Sequence, residues 1–345
     1  MADVDEKPPR DDIAAQDPVV TRRLDEMLLE VQNQRDQLMR LTRAYTASAA
    51  QMDRVRLLAE VWNVRTIQAH VREVLAAAPM LTDPFPHLVL HPFLPPEAFD
   101  LLIEAIPPED FFEGDNPRKR DLRKLDSSPL PLLSMAIWRS LAHDVIRPVL
   151  APAQAERFRP FAREYLRASV GEEFVDEALA LPLRPEGYRL MLRRPGFTLP
   201  PHLDPRDKFI NSLLYLARAG DPEAYGTQLF RVHQENFAAS LANTYYPEDE
   251  GIRCELVKTV PYRGNLCLTF LNLGGAHGAV IPADASPADL KRLAFQFYMR
   301  ADRKELEALI GRFPAERQVA WRLRETRSKV REAAKVPGSR AVMAG

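Results

Sequence analysis

Apolar residues recur every seven positions near the start of the chain. Asp17 and Pro18 are well suited to begin a helix, and neither proline nor glycine follows until after Ala77. The spacing predicts one or two long helices over residues 17–78 with a coiled-coil tendency. Either the rest of the protein covers the apolar stripe, or a second copy does so in a homodimer. The repeat comprises Leu24, Val31, Leu38, Tyr45 and Met52, with Met27, Leu41 and Val55 at the companion position and Gln34 and Ser48 interrupting it.

The segments around these helices differ in character. Residues 1–16 are charged and contain proline, which predicts a disordered arm. Residues 79–185 form a mixed α/β region that we expect to pack on the core, beginning with a strand over 87–93 and a helix over 96–106. The polar, basic segment 113–128 predicts a solvated loop or, alternatively, a lid or a loop that contacts an anion. Charged helices and a tail are predicted for 303–345.

Residues 186–302 alternate apolar and polar positions in short runs separated by turn residues. Six or more strands with almost no helix between them favour a sandwich or a barrel over a parallel sheet. The chain is therefore predicted to be an α+β protein. The runs are YRLMLRRP, KFINSLLYLA, GTQLFRVH, IRCELVKTVPY, GNLCLTFLNL and KRLAFQFYMR.

Composition narrows the range of functions. With 345 residues, of which 46% are hydrophobic, the chain can build a sizeable core. The formal net charge of −1 provides no overall attraction to nucleic acid or to an anionic membrane, and no apolar run has the length of a membrane span. The two cysteines, Cys254 and Cys267, lie in strand-like text, where thiols usually pack as small apolar groups. We expect a soluble, cytoplasmic protein with no nucleic-acid or membrane partner.

Three residues form a candidate metal site. In an extended segment His202 and Asp204 point to the same side, and His277 follows an apolar strand through a Gly-Gly turn. Two histidines and one carboxylate occupy one face of a metal and leave the other open, which is typical of non-haem Fe(II) oxygenases. Singly, each could equally be an ordinary turn, loop or surface residue.

A candidate anion site follows fifteen residues later. Arg292 begins a predicted strand and shares one side of it with Ala294, Gln296 and Tyr298. An arginine inside a closed barrel is rarely buried without an anionic partner, and a dicarboxylate co-substrate would supply one.

These residues and their surroundings resemble a known family. The order His-x-Asp, His, Arg, within RRPGFTLPPHLD, INSLLYLA and GNLCLTFLNLGGAHGA, resembles the 2-oxoglutarate and Fe(II)-dependent dioxygenases of the prolyl 4-hydroxylase-like branch. The likeness covers roughly residues 186–300, and DPFPHLVLHPFLPPEAFDLLIEAIP is similar to the strand and helix that often precede this core. The resemblance implies a double-stranded β-helix, that is, a cupin-like jelly roll.

The same resemblance implies the cofactors and their ligands. His202, Asp204 and His277 would hold Fe(II), and Arg292 would pair with the distal carboxylate of 2-oxoglutarate. Dioxygen is the second co-substrate, and ascorbate is an optional addition. The implied reaction is hydroxylation of a small-molecule or peptidyl substrate, with release of succinate and CO2.

This chain departs from the family pattern around the co-substrate. Arg193-Arg194 stands where the family often has a tyrosine, Gly226-Thr227 replaces a Gly-Gly pair, and Ala294 replaces a small hydroxyl residue. Tyr215 and Asn211 share a strand face and are candidates for the missing contacts with 2-oxoglutarate. The alternative is that both side chains are ordinary packing residues.

Two other functions fit parts of the pattern. A cupin-like binding or sugar-modifying protein would use the same barrel without redox chemistry. An assembly protein would depend on the N-terminal helix and retain only a degenerate barrel.

Overall fold

The N-terminal region is helical, as the apolar repeat predicts. The structure is a computed structural model that describes residues 18–50, 58–125, 129–233, 244–272, 274–315 and 317–318. The predicted arm over 1–16 and the tail beyond residue 318 lie outside the described residues. The helix over Val64–Ala77 is capped by Asn63, whose side-chain oxygen accepts a hydrogen bond from the Thr66 amide at 3.1 Å. The first helices are α1 (Pro18–Ala50), α2 (Leu58–Val61) and α3 (Val64–Ala77).

Helix α1 touches the rest of the described chain only towards its C-terminal end. Ala44 is buried there, and the Ser48 hydroxyl accepts a hydrogen bond from the Leu132 amide at 2.7 Å. By contrast Leu24, Val31 and Leu38 are 55%, 58% and 65% exposed. The described residues therefore do not cover the apolar stripe at these three positions. Met52 and Val55 lie outside the described residues.

A helical layer covers one face of the larger sheet. Its long central helix changes to wider π-helical turns over Leu141–Leu150, which contain Pro148. Trp138 is fully buried in this layer, and its indole N–H donates to the Ala105 carbonyl at 2.8 Å. The elements of this layer are α4 (Pro96–Glu104), α5 (Leu132–Ser140), the π-helical segment Leu141–Leu150, α6 (Ala151–Val170) and α7 (Glu172–Ala180).

Two antiparallel sheets form the centre of the protein. The seven-stranded sheet has the order β1-β9-β6-β11-β4-β3-β2, and the four-stranded sheet has the order β5-β10-β7-β8. Helix α8 (Arg303–Ile310) follows the last strand. The strands are β1 (His87–Leu90), β2 (Glu113–Asn116), β3 (Lys119–Arg123), β4 (Leu183–Arg193), β5 (Thr198–His202), β6 (Lys208–Tyr215), β7 (Thr227–Val232), β8 (Cys254–Val260), β9 (Cys267–Leu271), β10 (Ala276–Val280) and β11 (Arg292–Ala301).

The six strands predicted within residues 186–302 are confirmed, and the protein is α+β as expected. On β11 the alternation is also correct, because Phe295 and Phe297 pack into the large core shared with the helices, whereas Ala294 belongs to a separate core cluster. The two remaining strands of the core, β5 and β10, are short and rich in proline or glycine. Neither strand was predicted, because proline and glycine have low β-propensity.

The prediction of a loop over 113–128 is wrong for residues 113–123. Strands β2 and β3 form a hairpin, and β3 pairs along β4 at the side of the seven-stranded sheet. The sequence misleads because the buried face of β3 contains the charged residue Asp121, which is neutralised by Arg193 at 2.8 Å. Residues 126–128 lie outside the described residues.

Two other boundaries are shorter than predicted. Strand β1 ends at Leu90, before Pro92, and helix α4 ends at Glu104 rather than at residue 106. None of the helices in the described part of the chain combines the length and apolar character needed to cross a membrane.

Candidate metal centre

Three polar residues converge where two strands of the smaller sheet meet. His202 ends β5 and lies directly opposite His277 of β10 in the antiparallel register. The two imidazole ring centroids are 4.2 Å apart. Asp204 follows His202 by two residues, and one ligand atom from each of the three side chains lies within 4.8 Å of the others. All three residues are buried, so the arrangement is a built site rather than a surface cluster.

Glycines allow β10 to lie close enough to complete this site. A Cβ atom on Gly275 would lie only 2.1 Å from the Phe85 ring, and one on Gly278 would lie 2.7 Å from the Leu199 carbonyl oxygen. Both distances are far below ordinary contact, so larger side chains would displace the strand that contains His277.

The two histidines are held as neutral ligands. The Nδ1 atom of His202 lies 2.9 Å from the Pro200 carbonyl, which can only accept, so Nδ1 bears the proton and Nε2 keeps its lone pair. Burial lowers the pKa of His202, and Asp204 opposes this effect. Burial and then the neighbouring His202 lower the pKa of His277 to about 3. Both imidazoles therefore have lone pairs available at neutral pH.

Asp204 is fixed as a carboxylate. Burial alone would raise its pKa, but Lys208, His277 and His202 outweigh burial and lower the pKa to about 2. The Asn211 amide donates to its Oδ2 atom at 3.0 Å, and Lys208 Nζ lies 3.5 Å from its Oδ1 atom. The Asn272 side chain accepts from the Asp204 backbone amide at 3.1 Å. These contacts set the orientation of the carboxylate.

These residues fit a divalent transition metal. The His277 Nε2 atom lies 3.6 Å from Asp204 Oδ2, whereas two ligands at right angles around one ion lie about 3 Å apart. The His277 Nδ1 atom is buried without a hydrogen-bond partner among the described residues. Two neutral nitrogens and one ionised oxygen on one side form the donor set of a facial metal site.

A cavity of about 210 Å³ contains the three residues and lies between the two sheets. Its walls come from β3, β4, β6 and β11 of the larger sheet and from β5, β7 and β10 of the smaller one. A larger cavity of about 730 Å³ lies elsewhere, beside α6 and α7, and contains none of the three residues. Chemistry rather than size therefore identifies the site.

Arg292 lies in the cavity wall and is 4% exposed. Its Nε atom donates to the Tyr225 carbonyl, and its guanidinium carbon lies 5.6 Å and 5.3 Å from the ring centroids of Tyr215 and Tyr262. Within the described residues no carboxylate lies within ion-pair distance of Arg292. The guanidinium is therefore a buried cation with no carboxylate partner among the described residues, and such a charge is stabilised by an anion.

Asn211 and Tyr215, the two residues predicted to contact 2-oxoglutarate, lie on the same face of β6 as Leu213, which lines the cavity. The Tyr215 hydroxyl donates to the Thr227 hydroxyl at 2.7 Å and accepts from the Thr227 amide at 3.1 Å. Asn211 contacts Asp204, as described above, and its amide oxygen accepts from Gln296 at 3.0 Å. Tyr215 is thus next to Arg292, whereas Asn211 is next to the candidate metal ligand Asp204.

Sequence reasoning assigned no role to several further polar residues of the cavity wall. Arg189 donates to the Gln296 side-chain oxygen and to the Tyr298 hydroxyl, and Lys208 Nζ lies 4.0 Å from the Tyr298 ring centroid. Gln296 and Tyr298 were predicted to share the side of β11 that includes Arg292, and the alternation of β4 could have added Arg189 in the same way. Lys119 lies in the basic segment 113–128, for which contact with an anion was one alternative, whereas Lys208 offered no signal. These wall residues are Lys119, Arg189, Lys208, Thr244, Tyr246, Gln296 and Tyr298.

Solved structures similar to this chain include 2-oxoglutarate and Fe(II)-dependent oxygenases. HygX from Streptomyces hygroscopicus, with nickel, 2-oxoglutarate and hygromycin B bound, is 17% identical, with 63% of this chain and 83% of that chain covered at a TM-score of 0.37. A prolyl 4-hydroxylase from Phytophthora capsici is 13% identical, with 75% of each chain covered at a TM-score of 0.40. A 2OG-Fe(II) oxygenase family oxidoreductase from Burkholderia pseudomallei is 12% identical, with 69% of this chain and 90% of that chain covered at a TM-score of 0.34.

One of these structures is a 2OG-Fe(II) oxygenase family oxidoreductase and another is a prolyl 4-hydroxylase, the superfamily and branch that the sequence motifs resemble. No protein-family model and no curated protein matches the chain. The structural likeness is distant, with TM-scores between 0.34 and 0.40.

Proposed function

We propose that this protein is an Fe(II)- and 2-oxoglutarate-dependent dioxygenase that hydroxylates an unactivated C–H bond of a small-molecule or peptidyl substrate. The observation that carries the proposal is the buried set of His202, Asp204 and His277, with ligand atoms within 4.8 Å of one another. In the balanced reaction the substrate, 2-oxoglutarate and O2 give the hydroxylated substrate, succinate and CO2. The proposal includes the finer fold assignment, in which the two sheets form a double-stranded β-helix.

The metal site would be held by one carboxylate and two imidazoles from this chain. When bound, Fe(II) supplies the dioxygen and redox chemistry that side chains lack. The Pro200 carbonyl fixes the ring of His202, and Asn211 fixes the carboxylate of Asp204. Such outer contacts keep ligands oriented before the metal arrives.

Arg292 would bind the distal carboxylate of 2-oxoglutarate. It is the buried cation of the cavity without a carboxylate partner among the described residues, and the ring faces of Tyr215 and Tyr262 confine its guanidinium. A charge-assisted pair in this closed position would orient the co-substrate, with its other end directed to the metal. Tyr215 and Asn211 remain candidates for further co-substrate contacts.

The two rival functions make different use of these residues. A cupin-like binding protein needs no redox-active metal, so it would form no succinate. An assembly protein with a degenerate barrel would not need to retain three buried metal donors and an unpaired buried arginine. The exposed stripe on α1 does favour an additional homodimer contact, which we propose alongside the enzymatic function, together with a cytoplasmic location.

The test is conversion of isotopically labelled 2-oxoglutarate to succinate by anaerobically reconstituted protein on exposure to O2. A panel of candidate substrates would be screened by mass spectrometry for the gain of one oxygen atom. We expect succinate formation that requires Fe(II), O2 and 2-oxoglutarate. Succinate at the level of the His277→Ala variant under all conditions would rule out the proposed function.

A further inference from the structure

Three cations form a row across neighbouring strands of the cavity wall. Arg292 of β11 lies opposite Arg193 of β4, and Arg193 lies opposite Lys119 of β3. All three line the cavity. Since adjacent strands are about 4.8 Å apart, the backbone of Lys119 lies about 10 Å from that of Arg292. The row therefore extends beyond the reach of one carboxylate group.

The middle cation of the row already has a counter-charge. Arg193 lies 2.8 Å from a carboxylate oxygen of Asp121, and its guanidinium carbon lies 5.1 Å from the Phe197 ring centroid. Lys119 has no ion pair with any residue that the structure describes. Like charges on one face of adjacent strands repel each other, so a second anion near Lys119 would relieve a repulsion that the protein leaves in place.

The cavity as a whole has an excess of positive charge. Asp204 is the acidic residue of its wall, and Asp121 lies behind Arg193 and Arg189. Desolvation and the neighbouring Arg193 lower the pKa of Lys119 and outweigh the opposing effect of Asp121, although the Lys119 residue as a whole is exposed. The cations of the wall are Lys119, Arg189, Arg193, Lys208 and Arg292.

The proposed co-substrate uses only part of this charge. One carboxylate of 2-oxoglutarate would pair with Arg292 and the other would lie at the metal, so no anionic group remains for Lys119. We propose that the primary substrate has an anionic group, a carboxylate or a phosphate, that binds Lys119 with support from Arg193. This inference rests on the proposed function, because it assigns Arg292 to the co-substrate.

The position of Lys119 suits the recognition of an incoming substrate. It belongs to β3, which lies between β4 and the edge strand β2, and is exposed, whereas Arg292 is almost fully buried. A lysine ammonium is a compact charge that binds both carboxylate and phosphate without a fixed geometry. A cavity with one predominant sign of charge also attracts oppositely charged ligands from solution. Phe197 and Tyr246 also line the cavity and offer apolar surface to the rest of the substrate.

The experiment measures binding to the full chain loaded with Mn(II) and 2-oxoglutarate, by calorimetry at fixed ionic strength. Three probes share a phenyl group and differ in charge: phenyl phosphate, phenylacetate and neutral 2-phenylethanol. We expect the wild type to bind at least one anionic probe more tightly than the neutral one. Lys119→Met should weaken that anionic probe at least tenfold, and Lys119→Arg should restore most of the affinity. The affinity for 2-oxoglutarate should stay within twofold.

Lys304→Met is the matched control, since Lys304 is exposed on α8 and is not part of the cavity wall. The inference is overturned by equal binding of charged and neutral probes, by equal losses in the Lys119→Met and Lys304→Met proteins, or by a loss of 2-oxoglutarate affinity in the Lys119→Met protein. Failure of the wild type to bind 2-oxoglutarate would instead contradict the proposed function. Binding of the anionic probe through Lys119 would still support an anion site in that case.

Discussion

His202 and His277 face each other across two antiparallel strands, although 74 residues separate them along the chain. The backbone pairing of β5 with β10 therefore places the two imidazoles side by side. Pre-placement of this kind lowers the ordering cost of metal binding.

We first predict that the protein binds about one Mn(II) or Fe(II) per chain and that His202→Ala or His277→Ala abolishes this binding. Loss of one of three donors removes much of the affinity, because the remaining two do not define the coordination geometry. Metal content after gel filtration measures the result. His233→Ala is the control, since that histidine is exposed and pairs with Glu255 instead. Full metal content in the His277→Ala protein would exclude His277 as a ligand.

A second prediction concerns Arg292. Replacing it with alanine should weaken 2-oxoglutarate binding by roughly 30-fold or more, which corresponds to about 2 kcal/mol for a buried charge-assisted pair. Metal binding should change little, and calorimetry can measure both. Lys291→Ala is a matched control, because Lys291 lies 3.2 Å from Glu109 and is not part of the cavity wall. Equal effects of the two substitutions would remove Arg292 from the co-substrate site.

The third prediction concerns pH and the metal-free protein. His277 takes up a proton near pH 3 when folded, whereas an unperturbed histidine does so near 6.5. The unfolded chain therefore binds more protons between these values, and the free energy of unfolding falls as the pH is lowered through this range. One such histidine contributes up to about 1.4 kcal/mol per pH unit.

Urea unfolding of chelator-treated protein at pH 7 and pH 5 would measure this effect. His277→Gln should reduce the pH dependence, whereas His143→Gln, on the helical layer, should preserve it. An identical pH dependence in the wild type and in the His277→Gln protein would contradict the assignment.

A fourth prediction tests the role of Asn211. Its amide holds the carboxylate of Asp204, so Asn211→Ala should weaken metal binding by about 10- to 100-fold, as is typical for residues that orient a ligand. A direct role in co-substrate binding would instead weaken 2-oxoglutarate binding in protein saturated with metal. Separate titrations of metal and 2-oxoglutarate distinguish the two roles.

The fifth prediction concerns helix α1. Val31 and Leu38 are 58% and 65% exposed, so replacing both with Glu should not lower the melting temperature of the folded body. If the stripe joins two chains, the double variant should be a monomer and the wild type a dimer in light scattering after size exclusion. Glu30 and Arg35 flank the stripe with opposite charges, which is compatible with pairing between two parallel copies. A dimer that persists in the variant would exclude this surface as its cause.

The sequence was most informative where one face of an element is apolar. The alternation of β11 predicted which of its faces packs into the large core. The seven-residue repeat of α1 predicted the helix, although the described residues leave its apolar stripe exposed. Strand β3 escaped prediction because its inward side contains Asp121, whose burial depends on an arginine 72 positions away. An ion pair between residues so far apart in the chain cannot be predicted from the neighbouring sequence.

The candidate site was predictable to a similar extent. Spacing brought out His202 and Asp204, and the resemblance to a family connected them with His277 and Arg292. The hydrogen bond from Asn211 to Asp204 could not be predicted from the sequence, because it depends on how β6 lies beside the turn after β5. The position of Lys119 in the cavity wall could not be predicted either, because it belongs to the polar, basic segment 113–128, which has the composition of a solvated loop.

The pairing of Asp121 with Arg193 and Arg189 also changes how the edge hairpin should be regarded. Edge hairpins are usually dispensable additions to a sheet, but this one supplies the fixed counterion for two arginines of the cavity wall. Without Asp121, Arg193 would be a buried charge with only backbone carbonyls as partners, and breaking a buried ion pair costs about 3–5 kcal/mol. The electrostatic balance of the cavity thus depends on a segment that contributes none of the three candidate metal donors.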